Sequence, residues 1–149
     1  MRTMHAALAA VADRLGMAQI LPDASGFAEL VVADVLPVYL RLADEYELEL
    51  SARIAEFDGR LKPDLITELM RWNARFTGLR FAIEPDRGGV VLGRRLDIRS
   101  LSNSRIAETV EAFILAAADW RRHQAEALLE RVMRHGQDSQ EPLFGSFRL

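Results

Sequence analysis

Between Val38 and Asp97 the chain spells out a hairpin, a short helix and a second hairpin, a succession that leaves few folds open. VYLRLADEYELELSARI holds two alternating stretches around a turn at Asp44 and Glu45. Leu36, Val38, Leu40 and Leu42 point one way, with Tyr39 and Arg41 on the other side. Tyr46, Leu48, Leu50, Ala52 and Ile54 then alternate with Glu47, Glu49, Ser51 and Arg53. A period of two with one apolar face marks an antiparallel sheet covered on one side. Pro37 cannot donate to a ladder, so it marks a strand's start or an edge position. LRFAIEPDRGGVVLGRRLDI repeats the device: alternation from Leu79, a glycine-rich turn and a return strand.

The segment between the hairpins, PDLITELMRWNARF, opens on a proline suited to the first helical position. Leu65, Leu69, Trp72 and Phe76 form one stripe, and Ile66, Met70 and Asn73 an adjacent one. A short helix so broadly apolar needs two surfaces to bury against: its own sheet, and a partner subunit as a natural second. Upstream, Met4, Leu8, Val11 and Leu15 share a helix face, with Thr3 as cap and Gly16 as stop. A turn-rich LPDASG leads into the strand-like FAELVVA. Downstream, Ile106, Val110, Phe113, Ala117 and Trp120 carry the inner face of a last helix capped near Ser102, which can run to about Arg134. The expected class is α+β in the order α-β-β-β-α-β-β-α: an antiparallel twisted sheet flanked by three helices, as a dimer. One domain over residues 1–135 and a flexible C-terminal tail over 136–149 are expected.

No catalytic kit stands out. The chain lacks cysteine, which excludes disulfides, thiolate catalysis and zinc–thiolate sites. Its histidines lie in different segments, and His123 with Asp119 supplies two ligands where a closed metal site wants three or four. Gly88, Gly89 and Gly93 have the wrong spacing for a phosphate loop and read as a tight hairpin with a close-packing glycine. Glu45, Glu47 and Glu49 read as a solubilising strand face, and the arginines of the last helix, interleaved with Glu126 and Glu130, as a solvated one. A net charge of −3 argues against nucleic acid as a partner, since phosphate binding wants a dense cationic face. No apolar run is long enough to span a bilayer. The expectation is a cytoplasmic protein that is not an enzyme, with no cofactor, no metal, no nucleic acid and no membrane insertion.

The element order resembles that of the class I type III secretion chaperones, the family that includes the Tir chaperone. So do several local motifs: the opening helix ending in Leu15-Gly16, the DEYELEL strand, the ELMRWNARF helix with its asparagine, the second hairpin, and a closing helix ending near AAADWRR. The resemblance covers about residues 4–125. It implies a bacterial cytoplasmic homodimer that binds the N-terminal segment of a secreted effector and keeps it extended without nucleotide hydrolysis, in the service of virulence. It implies a dimer interface on the central helix and the following strand, at Leu69, Trp72, Phe76, Leu79 and Phe81. It implies effector contacts at Leu8, Val11, Leu15, Leu30, Val32, Leu40 and Leu42. The alternative is a structurally related protein–protein interaction or regulatory module outside secretion. An extended client can add a strand to a sheet edge and drop side chains into apolar pockets.

Overall fold

A computed structural model of the chain describes residues 3–31, 36–57, 63–84 and 88–124. Val32, the stretch of the last helix toward Arg134 and the tail over 136–149 lie outside the described residues. The order is α1 (Met4–Leu15), β1 (Phe27–Leu30), β2 (Val38–Leu42), β3 (Glu47–Glu56), α2 (Pro63–Arg75), β4 (Arg80–Glu84), β5 (Gly89–Asp97) and α3 (Asn103–Asp119). This is the expected α+β succession. A π-helical turn over Trp120–Gln124 follows α3, where the sequence suggested an unbroken helix.

The helix ends form as the sequence dictates. The Thr3 hydroxyl accepts from the Ala6 N–H, and Gly16, at φ 71°, closes α1 in the left-handed conformation. Ser102 caps α3 by accepting from the Arg105 N–H.

All strand pairs are antiparallel, in the order β1-β2-β3-β5-β4. The second hairpin thus docks through its return strand, so β3 pairs with β5, and β1 and β4 are the edges. Along β3 the inward positions are Leu48, Leu50, Ala52 and Ile54, each at most 1% exposed. The ladder then slips: Arg53 pairs with Val91 but Ala55 with Val90, leaving Ile54 as the extra residue of a bulge. The bulge explains why two adjacent residues, Ile54 and Ala55, are both buried.

α3 lies across β3 and β5, and α1 packs on α3. Leu8 and Val11 of α1 meet this layer, with Ile106, Val110, Phe113 and Ile114 of α3 beneath. Arg14 and Glu111, 3.1 Å apart, tie the two helices at the surface. The core therefore lies between α1, α3 and one face of the sheet. No described helix covers the opposite face.

Candidate functional site

The uncovered face is built from the outward half of each alternation. One row runs Arg41, Glu49, Arg95 across β2, β3 and β5. Here Arg41 reaches Glu49 Oε2 through Nε at 2.8 Å and Nη2 at 2.5 Å, and Arg95 Nη2 takes Glu49 Oε1 at 2.9 Å. Nearer α2, Arg53 pairs with Glu84 at 2.7 Å. Glu47 and Glu49 are thus members of a cross-strand ion-pair ladder, beyond the solubilising role read from the sequence. Small residues floor the middle of the face: Ser51, Gly93, Ala82 and Val91. Two shallow grooves of roughly 380 and 370 Å³ meet there and share Ser51 and Val91.

Arg121 closes one end of this face. The π-helical turn brings its guanidinium to the bulge, where Nη1 donates to the Arg53 carbonyl at 3.2 Å and Nη2 stands 3.8 Å from Glu56. The sequence placed Arg121 on a solvated helix face. In the structure it links the end of α3 to β3.

Apolar exposure concentrates around β1. Phe27 is 46% exposed, Val31 59% and Tyr39 43%, with Leu21 in the preceding turn at 71%. The described residues among those expected to meet a client stand at different depths. Leu8, Val11, Leu30 and Leu40 are buried in the chain's own core, and Leu15 and Leu42 are half-buried. The register explains the split. Leu30 pairs with Val38 and Ala28 with Leu40, all turned toward the helices, while Phe27 and Tyr39 sit on the open side.

The residues expected at a subunit contact converge on the β4 edge. Trp72, Phe76, Phe81 and Trp120 form one aromatic cluster, with ring centroids 5.1 Å apart for Trp72–Phe81, 4.4 Å for Trp72–Trp120 and 5.3 Å for Phe76–Trp120. Leu69, Trp72 and Phe81 are buried within the protomer, and Phe76 and Leu79 are half-buried. The large apolar side chains of α2 that remain exposed are Ile66 at 37% and Met70 at 67%.

The residue that sequence reasoning undervalued is Asn73. Its Nδ2 donates to the Phe81 carbonyl at 3.0 Å, and its Oδ1 accepts from the Phe81 N–H at 2.6 Å. The signal was a carboxamide standing in an otherwise apolar stripe behind Ile66 and Met70. Among the described residues, no group of three or more histidine, cysteine, aspartate or glutamate side chains is placed to hold a metal ion. No described helix is long and apolar enough to cross a membrane.

The family model described as "Tir chaperone protein (CesT) family" matches residues 6–121, most of the chain. The chain belongs to the Tir chaperone protein (CesT) family. The match runs from the first turn of α1 past the end of α3. Three solved structures show the same fold. ExsC, in the ExsC–ExsE complex, is 24% identical with a TM-score of 0.66, over 80% of this chain and 91% of that one. The Yersinia pestis type III secretion chaperone SycH, in complex with a stable fragment of YscM2, is 22% identical with a TM-score of 0.59, over 76% and 95%. YbjN from E. coli, a candidate transcription regulator, is 20% identical with a TM-score of 0.55, over 78% and 90%. A search of curated protein sequences found no match. As a CesT-family member, the chain falls in a class whose work is chaperoning, a non-enzymatic role.

Proposed function

We propose that this chain is a type III secretion chaperone. As a homodimer in the bacterial cytoplasm it binds the N-terminal segment of a secreted effector and keeps that segment extended, without nucleotide hydrolysis. The observation that carries the reading is the β1 edge, in a chain whose family is that of the Tir chaperone. β1 is an outer strand, and Phe27, Val31 and Tyr39 lie exposed beside it. An extended segment added there gains backbone hydrogen bonds from the edge and apolar contact from these side chains. Among the expected effector contacts, Leu15 and Leu42 keep surface to offer, while Leu8, Val11, Leu30 and Leu40 are buried in the protomer's own core. SycH and ExsC, solved with YscM2 and ExsE, support protein binding as the role of this fold.

A client that orders on binding loses chain entropy, so it needs a large wrapped surface for useful affinity. A two-fold dimer doubles that surface and couples the halves through effective concentration. The subunit contact is proposed on the α2–β4 side, around Leu69, Trp72, Phe76, Leu79 and Phe81, with Ile66 and Met70 supplying exposed apolar area.

Glu29→Pro tests the client edge. Proline on an edge strand is tolerated where its missing N–H faces away from the sheet. Glu29 meets that condition, because the hydrogen bond from the Leu42 N–H to the Gly26 carbonyl fixes the alternation of the β1–β2 ladder. The variant should fold, dimerise and capture far less client from its native bacterium. Capture equal to wild type would rule out strand addition at β1. The second reading, a related interaction module outside secretion, rests on the likeness to YbjN. A captured partner that is not a secreted protein would favour it.

A further inference from the structure

Among the described residues, one strand carboxylate has no countercharge. Every other carboxylate on a described strand, from Glu47 on β3 to Asp97 on β5, stands 3.8 Å or less from an arginine nitrogen. Glu29 of β1 has neither an ion pair nor a side-chain hydrogen bond among the described residues, and its side chain is exposed. The Tyr39 ring stands across from it on β2, on the open face of the sheet.

The backbone around Glu29 fixes where a strand can start to pair. The hydrogen bond from the Leu42 N–H to the Gly26 carbonyl sets the alternation, so Phe27 and Glu29 turn their N–H and C=O away from β2. Phe27 is already occupied by the preceding turn: the Asp23 N–H donates to its carbonyl at 2.8 Å, and its own N–H donates to Asp23 Oδ1 at 3.0 Å. Pairing with an added segment therefore begins at Glu29. Phe27 and Val31, 46% and 59% exposed, flank that carboxylate by alternation on the same face. Ala28 and Leu30, between them, turn toward the helices.

In the free chain water solvates the Glu29 carboxylate. A strand added to β1 sets its own side chain about 5 Å from the Glu29 Cβ and displaces part of that water. A basic side chain there gains an ion pair, whereas an acidic one is repelled. We propose that Glu29 selects among extended segments by charge: the segment that joins β1 carries an arginine or lysine facing Glu29. The residues next to it in the segment turn to the side of Ala28 and Leu30 and are apolar. The place of addition rests on the chaperone reading; the charge preference is a separate claim, and its failure is distinguishable from failure of that reading.

Random dodecapeptides displayed on phage are selected on the purified full chain and on Glu29→Gln, Glu29→Lys and Glu29→Pro, each checked for wild-type mass and near-ultraviolet circular dichroism. Wild type should enrich segments with an arginine or lysine at one position between apolar residues. Glu29→Lys should enrich aspartate or glutamate at that position, and Glu29→Gln should show no charge preference. Glu29→Pro should enrich none of these segments. A synthetic peptide from the wild-type selection should bind Glu29→Gln about two- to fivefold more weakly and Glu29→Lys more weakly still. Exchanging its basic residue for glutamate should restore binding to Glu29→Lys. If Glu29→Lys loses its native circular dichroism, the affinity for Glu29→Gln decides. Peptides that need the β1 edge, being lost in Glu29→Pro, but show no basic preference would overturn selection by charge and leave strand addition standing. If no peptide is lost in Glu29→Pro, nothing adds at β1 and both claims fall.

Discussion

Replacing Phe81 by alanine probes the packing that fixes α2 on the sheet. The side chain is 5% exposed, and its ring lies 5.1 Å from that of Trp72, 6.2 Å from Phe76 and 5.0 Å from Trp120. Removing a buried phenyl ring forfeits its transfer free energy and leaves a cavity, together about 3–5 kcal/mol. Collapse cannot relieve much of this loss, because the three surrounding rings already pack on one another or on the sheet. The upper half of the range is expected, against a total stability of about 5–15 kcal/mol for a domain. For a chain of this length the same loss lowers the melting temperature by roughly 10 °C. Urea unfolding at fixed protein concentration, followed through Trp72 and Trp120 fluorescence, measures it. The midpoint should fall with little change in slope. A loss below about 1.5 kcal/mol would show that the cluster is not packed as described.

Three further predictions concern other parts of the chain. Gly88→Ala should destabilise by about 1 kcal/mol or more on the same unfolding assay, because Gly88 sits at φ 61° and a Cβ there would collide with the Phe57 carbonyl oxygen. The Asp97 carboxyl is held below its ordinary 3.8, first by the Arg99 guanidinium and then by the Arg99 N–H. A depressed carboxyl stabilises the fold above its unfolded value and loses that contribution as pH falls through 3.8 and below. Asp97→Asn should therefore be less stable than wild type at neutral pH and should flatten the acid limb of a stability–pH curve; identical limbs would refute the link. Ile66→Asp with Met70→Asp should yield a folded monomer by light scattering, since both side chains face solvent in the protomer, and an unchanged dimer would move the subunit contact elsewhere.

Much of this fold was legible in the chain because its hairpins alternate cleanly. Val38, Leu40, Leu48 and Leu50 announce one face, and the structure buries all of them. The helix caps at Thr3 and Ser102 and the stop at Gly16 follow from local chemistry alone. Strand pairing at a distance was less accessible. Nothing in either hairpin says that β3 meets β5, because that choice depends on how α2 carries the chain across the sheet. The bulge did leave a trace, since Ile54-Ala55-Glu56 breaks the alternation. The π-helical turn left none. The expected client and subunit residues show where periodicity stops short. It groups Leu30 with Leu40 and Leu69 with Trp72, but the packing of α1 and α3, and of Trp120, decides how much of each group remains exposed. Asn73 was visible as a polar interruption in α2, and its partner on β4 could be found only in three dimensions.

The most direct test of the central claim combines the mass of the complex captured from the native bacterium with its hydrogen-exchange footprint. The chaperone reading predicts two copies of this chain holding one secreted protein through its N-terminal region, with new protection at Glu29–Val31 and none at Arg80–Glu84. A partner held through a folded domain, or a footprint that leaves the β1 edge unprotected, would contradict it.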